Sequence, residues 1–166
     1  MYFKTPDLEI RPFVPADRER IIDLFTDAQV KKTYMVPDFA IREEAGKLFD
    51  RLRALSEQEG RYVAAISLNG DCIGILNETE VSGNAIELGY ALLPKYHNRG
   101  YATQTLGRAM EYLFDRGFDE VLTGAFEDNA PSIRVMEKCG MTRLSRQEEI
   151  PYRGRTHRCV YYSRKR

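Results

Sequence analysis

The sequence is poor in cysteine, has no excess of charge of either sign, and contains no long apolar run. Its three cysteines are Cys72, Cys139 and Cys159. They are odd in number, widely spaced and without a Cys-x-x-Cys pair. That argues against a disulfide framework and against a zinc site, so the expectation is reduced thiols in a cytoplasmic protein and no metal. Lys plus Arg and Asp plus Glu stand at 25 each, so the formal net charge is zero. A nucleic-acid binder carries a basic excess or a basic face. The one basic cluster here is Arg164-Lys165-Arg166, at a terminus where charges are usually solvated, and no nucleic-acid partner is expected. The stretch Met1–Asp7 lacks the apolar core of a signal peptide. No segment is apolar for long enough to span a bilayer as a helix, so no membrane partner is expected either. No repeat, linker or low-complexity segment interrupts the chain, and 166 residues suffice for one domain with a sizeable core. Residues 1–166 are therefore read as one domain.

What is present is a clear alternation of periodicities. Leu8–Phe13 alternates apolar and polar residues and predicts a strand, with Pro12 marking its end or a sheet edge. Pro15-Ala16-Asp17 opens a helix whose apolar face is Ile21, Ile22, Leu24 and Phe25. Val36-Pro37-Asp38 breaks the chain. Helical spacing returns from about Glu43 to Glu57, with Ala45, Leu48, Phe49, Leu52 and Leu55 as the buried stripe, and Gly60 ends it. Tyr62–Leu68 is an apolar run followed by Asn69-Gly70, the strongest short hairpin signal, because both turn residues must accept positive φ. The return strand runs through Cys72, Ile73, Ile75 and Leu76. After a turn at Ser82-Gly83-Asn84, Ala85–Leu93 makes a third strand. Tyr101–Phe114 is helical and closed by Gly117, and Val121–Phe126 is a strand. Ile133–Lys138 is a short helix opened by Asp128-Asn129-Ala130-Pro131-Ser132 and stopped by Gly140. Thr142–Ile150 and His157–Ser163 are two last strands joined at Arg153-Gly154. The order predicts an α/β (α+β) fold: one mixed, mostly antiparallel central sheet flanked by helices.

The step from the third meander strand into the next helix bears on function. The strand ends near Leu92-Leu93, a short turn carries Pro94 to Arg99, and the helix begins at about Gly100. The first N–H groups of a helix lack internal partners and the dipole is positive there, so such a step makes an anion site. Gly100 lets the backbone approach closely and Ala102 keeps the next turn small. Neither Gly-x-Gly-x-x-Gly nor the nucleotide P-loop pattern is present, so the common dinucleotide and nucleoside-triphosphate readings fit poorly.

Pro94-Lys95-Tyr96-His97-Asn98-Arg99-Gly100-Tyr101-Ala102-Thr103 resembles the pyrophosphate-binding motif of the GNAT N-acetyltransferases, Gln/Arg-x-x-Gly-x-Gly/Ala. Gly100 and Ala102 match. His97 stands where Gln or Arg is usual, and Asn98 replaces a frequent glycine. Asn129 to Met141 is similar to the family's later motif, Asn-x-x-Ser before a short helix with a Gly-aromatic end, here ending in Gly140-Met141. The order of elements is GNAT-like from Leu8 to Ser163, and the subgroup resembled is the RimJ/RimL type, which acetylates protein N-termini. The competing reading of Asn129 and Ser132 is helix capping.

The resemblance implies an acyltransferase that moves the acetyl group of acetyl-CoA to a primary amine by direct attack on the thioester. The acceptor is a protein N-terminal α-amine or a small-molecule amine. Leu92, Leu93, His97, Asn98, Arg99, Gly100, Tyr101, Ala102, Thr103, Asn129 and Ser132 are the implied cofactor-binding residues. The chemistry needs a neutral amine, donors for an oxyanion, and a proton or hydrogen bond for the departing thiolate. Glu87 is the candidate base. Alternation puts it on the small face of its strand with Ala85, Gly89, Ala91 and Leu93, away from Ile86, Leu88, Tyr90 and Leu92. Its competing reading is a solvated surface carboxylate. The oxyanion donors are expected to be backbone N–H groups near Leu92 and Leu93. Many relatives use a tyrosine where this chain has Met136, which leaves Ser132 as the candidate beside the sulfur. His157 is read as structural, and acceptor choice is placed in Gln29–Ile41 and Gln147–His157. Dimers are common among the resembled proteins, so a homodimer is allowed. The reading from a different class is a non-catalytic acyl-CoA-binding module.

Overall fold

Asn69 and Gly70 take φ of 52° and 91°, the left-handed pair that a two-residue hairpin demands. They join β3 (Val63–Leu68) to β4 (Asp71–Ser82), and this hairpin is the middle of the sheet. The computed structural model describes residues 1–166. Around the hairpin it places β1 (Phe3–Lys4), β2 (Leu8–Arg11), β5 (Ala85–Leu92), β6 (Glu120–Phe126), β7 (Thr142–Tyr152) and β8 (Arg155–Lys165). The four α-helices are α1 (Arg18–Thr26), α2 (Arg42–Ser56), α3 (Tyr101–Phe114) and α4 (Ala130–Lys138). The eight strands form one sheet in the order β1-β2-β3-β4-β5-β6-β8-β7. Every pairing is antiparallel except β5–β6, which is parallel. This is the mixed, mostly antiparallel sheet flanked by helices that the sequence predicts.

Both faces of the sheet are covered, and alternate residues of each strand go to opposite sides. Ile66, Leu76, Ile86, Leu88 and Leu92 pack with Leu106, Met110 and Leu113 of α3 and Met136 of α4. Ala65, Ile75, Ala91 and Leu93 pack with Ile21, Leu24 and Phe25 of α1 and Phe49 of α2.

Several boundaries differ from the expectation, each for a local reason. The strand from Leu8 stops at Arg11 rather than Phe13. Pro12 has no N–H for the ladder, and the Phe13 N–H donates instead to Ser56 Oγ at 3.0 Å. The short β1 and a 3-10 turn at Val30–Lys32 carry no periodic signal and were not expected. β4 runs past Leu76 to Ser82, where polar residues continue the pairing with β5. Leu93 lies just outside β5 and caps a 3-10 turn at Pro94–Tyr96.

β4 also carries two register shifts. One, between Ile66 and Ser67 of its partner, leaves Ile73 as the extra residue. The other, against β5, leaves Thr79 extra. Bulges of this kind bend and twist a strand. Between them, Gly74 faces Leu92. A Cβ at Gly74 would collide with the Ala91 carbonyl oxygen and lie 3.1 Å from Leu92 Cα. Gly74→Ala should therefore push β5 outward and cost about 1–3 kcal/mol of stability, as overpacking does. Urea unfolding measures this, and a variant within about 0.3 kcal/mol of wild type would show that β5 yields freely.

Candidate active site

The parallel pairing of β5 with β6 is short. It covers Ala85–Glu120, Ile86–Val121 and Glu87–Leu122, and then the strands part. β5 continues to Leu92 along β4, and β6 continues to Phe126 along β8. A gap is left inside the sheet. The Leu93 N–H donates to the Ile73 carbonyl at 2.9 Å, which makes Gly74–Leu92 a pair that exchanges no hydrogen bonds. The backbone N–H and C=O of Leu92, and two residues earlier of Tyr90, therefore turn away from β4 and into the gap. The Leu92 carbonyl is met by His97, whose Nε2–H donates to it at 2.8 Å. Of the two N–H groups that the sequence places near the oxyanion, Leu93's is thus already engaged, and Leu92's faces the opening.

The strand end leads into the turn before α3. Asn98 and Gly100 both adopt left-handed backbone, with φ of 59° and 80°, and the chain enters the helix from an exposed loop. None of the N–H groups of Asn98, Arg99, Gly100, Tyr101, Ala102 and Thr103 donates to a protein acceptor; the first to do so is Gln104, to Gly100 O at 3.0 Å. A run of free backbone donors at the positive end of a helix, with the Arg99 side chain exposed beside it, is an anion cradle. Gln104 holds the cradle's first turn to the N-terminal segment. Its Oε1 accepts from Thr5 Oγ1 at 2.9 Å, and its Nε2 donates to Asp7 Oδ2 at 2.6 Å.

At the start of α4, Asn129 Oδ1 accepts the Ser132 N–H at 3.4 Å, a capping contact. The Ser132 hydroxyl points elsewhere, with its Oγ 2.9 Å from the Tyr90 hydroxyl on the gap-lining strand. Burial pushes the Tyr90 phenol up to about 12, so it stays neutral. Met136 is fully buried in the core between the sheet and α3. Period-two alternation places Tyr90 on the apolar face of its strand, and it is not among the candidate site residues read from the sequence. The available signal was a hydroxyl on a face otherwise made of Ile86, Leu88 and Leu92.

Glu87 projects from the opposite face, at the last residue before the strands part, and its side chain is only 16% exposed. Two irregularities aim partners at it. The extra residue Thr79 donates from Oγ1 to Glu87 Oε1 at 3.0 Å. A register shift in β7 between Arg143 and Gln147 throws out Arg146, whose Nη1 lies 3.6 Å from Glu87 Oε2. Arg146 also pairs with Glu148 at 2.7 Å and stacks over the Tyr161 ring at 3.9 Å. Desolvation raises the Glu87 carboxyl above the ordinary range; the Thr79 hydrogen bond and the Arg146 charge pull the other way without cancelling it. Glu87 thus shares the gap with Tyr90 and Ser132 but lies across the sheet from them.

The two segments assigned to acceptor choice meet on the Glu87 side. Tyr152 OH, from the end of β7, lies 3.0 Å from Lys31 O and 3.2 Å from Tyr34 O. Arg153 and Lys31 both pair with Asp38, at 2.6 and 3.2 Å. Tyr34 OH donates to Asn77 Oδ1 at 2.7 Å, which ties the same loop to β4. His157 stacks on Phe126 with ring centroids 4.2 Å apart and is nearly buried. No cluster of three or more His, Cys, Asp or Glu residues is placed to hold a metal, and no helix is long and apolar enough to cross a membrane.

Comparison with known proteins bears on the fold that carries these residues. Residues 7–142 match the acetyltransferase (GNAT) domain family. The chain is similar to the uncharacterized N-acetyltransferase YnaD of Bacillus subtilis (strain 168), 29% identical over 146 residues that cover 86% of this chain and 84% of that one. A solved GNAT-family acetyltransferase from Bacillus anthracis superposes with a TM-score of 0.85 at 25% identity, covering 99% of this chain and 98% of the other. RimL, a ribosomal L7/L12 alpha-N-protein acetyltransferase solved with coenzyme A, superposes at 0.87 with 19% identity and the same coverage; that likeness is one of fold.

The raised Glu87 pKa has a consequence for stability. A carboxyl that holds its proton more tightly when folded stabilises the fold fully below its unfolded pKa, and that contribution is lost as pH rises through the folded value. Glu87→Gln keeps an acceptor for Thr79 and removes the desolvated charge. The variant should therefore melt higher than wild type at about pH 8, with the difference closing toward about pH 4, where both forms are neutral. Scanning calorimetry across pH tests this, and a lower melting temperature at the alkaline end contradicts it.

Proposed function

The chain belongs to the GNAT acetyltransferase family, and from that premise we propose that it transfers the acetyl group of acetyl-CoA to a primary amine by direct attack on the thioester. The observation that carries the reading is the run of free N–H groups from Asn98 to Thr103, set beside the gap between β5 and β6. In this reading those groups hold the pyrophosphate of the acetyl donor. The gap takes its pantetheine arm as an added strand, with the N–H and C=O of Tyr90 as the edge that it pairs with, and the N–H of Leu92 is left for the thioester oxygen. Leu93 shapes the strand end rather than donating, and His97 fixes the Leu92 carbonyl. Asn129 sets the start of α4 and Ser132 reaches toward the sulfur.

Glu87 takes the proton that the amine must lose, directly or through a water. A raised pKa suits a general base, which must be able to hold that proton. The Leu92 N–H is the donor for the oxyanion. The acceptor enters on the Glu87 side, between the Lys31–Asp38 loop and the β7–β8 hairpin. We favour a peptide or protein α-amine over a small polyamine, amino acid or antibiotic, as the RimJ/RimL resemblance implies. A cytoplasmic location, a single domain over residues 1–166 and a homodimer belong to the same reading.

Thiol release from acetyl-CoA with a panel of amines and peptides tests the whole. Amine-dependent release is expected; stabilisation by CoA with no turnover on any acceptor would favour the acyl-CoA-binding module. Glu87→Gln should lower kcat about a hundredfold and remove the acidic limb of the pH–rate profile, the scale usual for a lost general base. An unchanged rate across pH removes Glu87 from the mechanism. Ala102→Glu should raise the KM for acetyl-CoA about tenfold or more, because a carboxylate would occupy the anion cradle. Ala102 also packs half-buried against the core, so the melting temperature is followed alongside KM. Weak binding together with a lowered melting temperature would instead mean structural damage.

A further inference from the structure

The Tyr90 and Ser132 hydroxyls meet on the core side of β5. Their hydroxyl oxygens are 2.9 Å apart, and neither has another side-chain partner. The Ser132 carbonyl oxygen is the one other acceptor near the phenol, at 3.5 Å. The surroundings are apolar: Tyr90 packs against the core that contains Leu88, Leu92 and Met136. A half-buried phenol set against apolar side chains gains from a hydrogen-bond partner, and a phenol is a stronger donor than an aliphatic alcohol. The hydrogen in the 2.9 Å contact is therefore assigned to Tyr90, which leaves the Ser132 hydrogen free to point out of the contact, toward the gap.

Resting on the acetyl-transfer reading, we propose that Tyr90 is a positioning residue for thiol release: it donates to Ser132 Oγ and so turns the Ser132 hydrogen toward the sulfur. In the reaction the amine nitrogen forms a bond to the carbonyl carbon and loses a proton to Glu87. The carbon–sulfur bond breaks and its electron pair leaves on sulfur. Ser132 supplies the hydrogen bond and then the proton that sulfur needs, and recovers a proton from water as the thiol departs. Tyr90 keeps its own proton throughout, consistent with a phenol that burial holds neutral. Without Tyr90 the serine hydroxyl is free to rotate, and its donor is aimed only part of the time.

The test uses one readout that needs no turnover and one that does. Calorimetric affinity is measured for CoA at about pH 9.5, where a substantial fraction of an alkyl thiol is ionised, and for desulfo-CoA, which lacks the sulfur. Ser132→Ala should weaken CoA about tenfold or more, the scale for a hydrogen bond to a charged group, and Tyr90→Phe roughly three- to fivefold, the scale for an ordinary one, with desulfo-CoA unchanged in both. Equal losses for the two ligands, or none for CoA, overturn the proposal. In turnover, Tyr90→Phe should lower kcat roughly five- to tenfold with KM for acetyl-CoA little changed, and the loss should vanish in a Ser132→Ala background. Additive losses overturn it. Ser132→Thr, which keeps a hydroxyl, should retain the CoA preference that Ser132→Ala loses, and if Tyr90→Phe does not fold, Tyr90→Met, which also lacks the phenol and fills apolar space adaptably, carries the comparison. If wild type acetylates no amine, the transfer reading falls while the CoA and desulfo-CoA comparison still decides the Tyr90–Ser132 pairing.

Discussion

The parting of β5 and β6 after Glu87 is the constraint on which the rest of the structure depends. Backbone N–H and C=O groups inside a protein are obligatory hydrogen-bonding groups, and leaving one buried and unpaired costs about 1–3 kcal/mol. A sheet that opens in its middle therefore needs another source of partners. Tyr90 and Leu92 turn their backbone groups into the opening because β4 holds β5 through their neighbours, as the Leu93 to Ile73 bond shows. His97 supplies one partner from the protein, for the Leu92 carbonyl. The remaining donors form an edge that an extended, amide-bearing arm can complete. The cradle at α3 lies only six residues beyond Leu92, so the edge and the anion site are parts of one chain segment.

Placing Glu87 at the fork creates a tension of charge. The carboxylate is mostly hidden from water, and burial opposes its ionisation. Thr79 and Arg146 relieve this in part, and each reaches Glu87 because a strand departs from regular register. Arg146 is itself divided between Glu87, Glu148 and the Tyr161 ring. Its attraction for Glu87 at 3.6 Å is therefore looser than a bidentate pair would provide, and the carboxyl remains raised. A tighter pair would make the fold more stable and the group a poorer base.

The parts of the fold legible in the sequence are those set by local chemistry. Asn69-Gly70 fixed a hairpin because few dipeptides accept two positive φ values, and the apolar spacing of Tyr101–Phe114 could bury only one face. The face assignment of Ala85–Leu93 was equally local, a matter of period two. What escaped is non-local. Thr79 reads as an ordinary strand residue, and nothing near it in the chain says that β5 will be one residue short opposite it. The length of the β5–β6 pairing depends on two strands more than thirty residues apart. Tyr90 could be placed on its face but not paired with Ser132, because that contact spans 42 positions and depends on where α4 docks.

The same distinction between main chain and side chain accounts for the two atypical residues in the helix-start turn. A cradle made of backbone N–H groups constrains its side chains chiefly through the φ angles that it requires. Asn98 stands at φ 59°, a region where glycine is the default and asparagine is among the few residues that enter at modest cost. It preserves the turn that a glycine would make. His97 requires no unusual φ, and its ring has a contact of its own, the bond to Leu92 O. That bond ties the end of β5 to the turn that follows it, so the edge facing the gap and the donors at the helix start keep a fixed relation. The turn departs from the family pattern in its side chains while keeping the backbone arrangement on which an anion cradle depends.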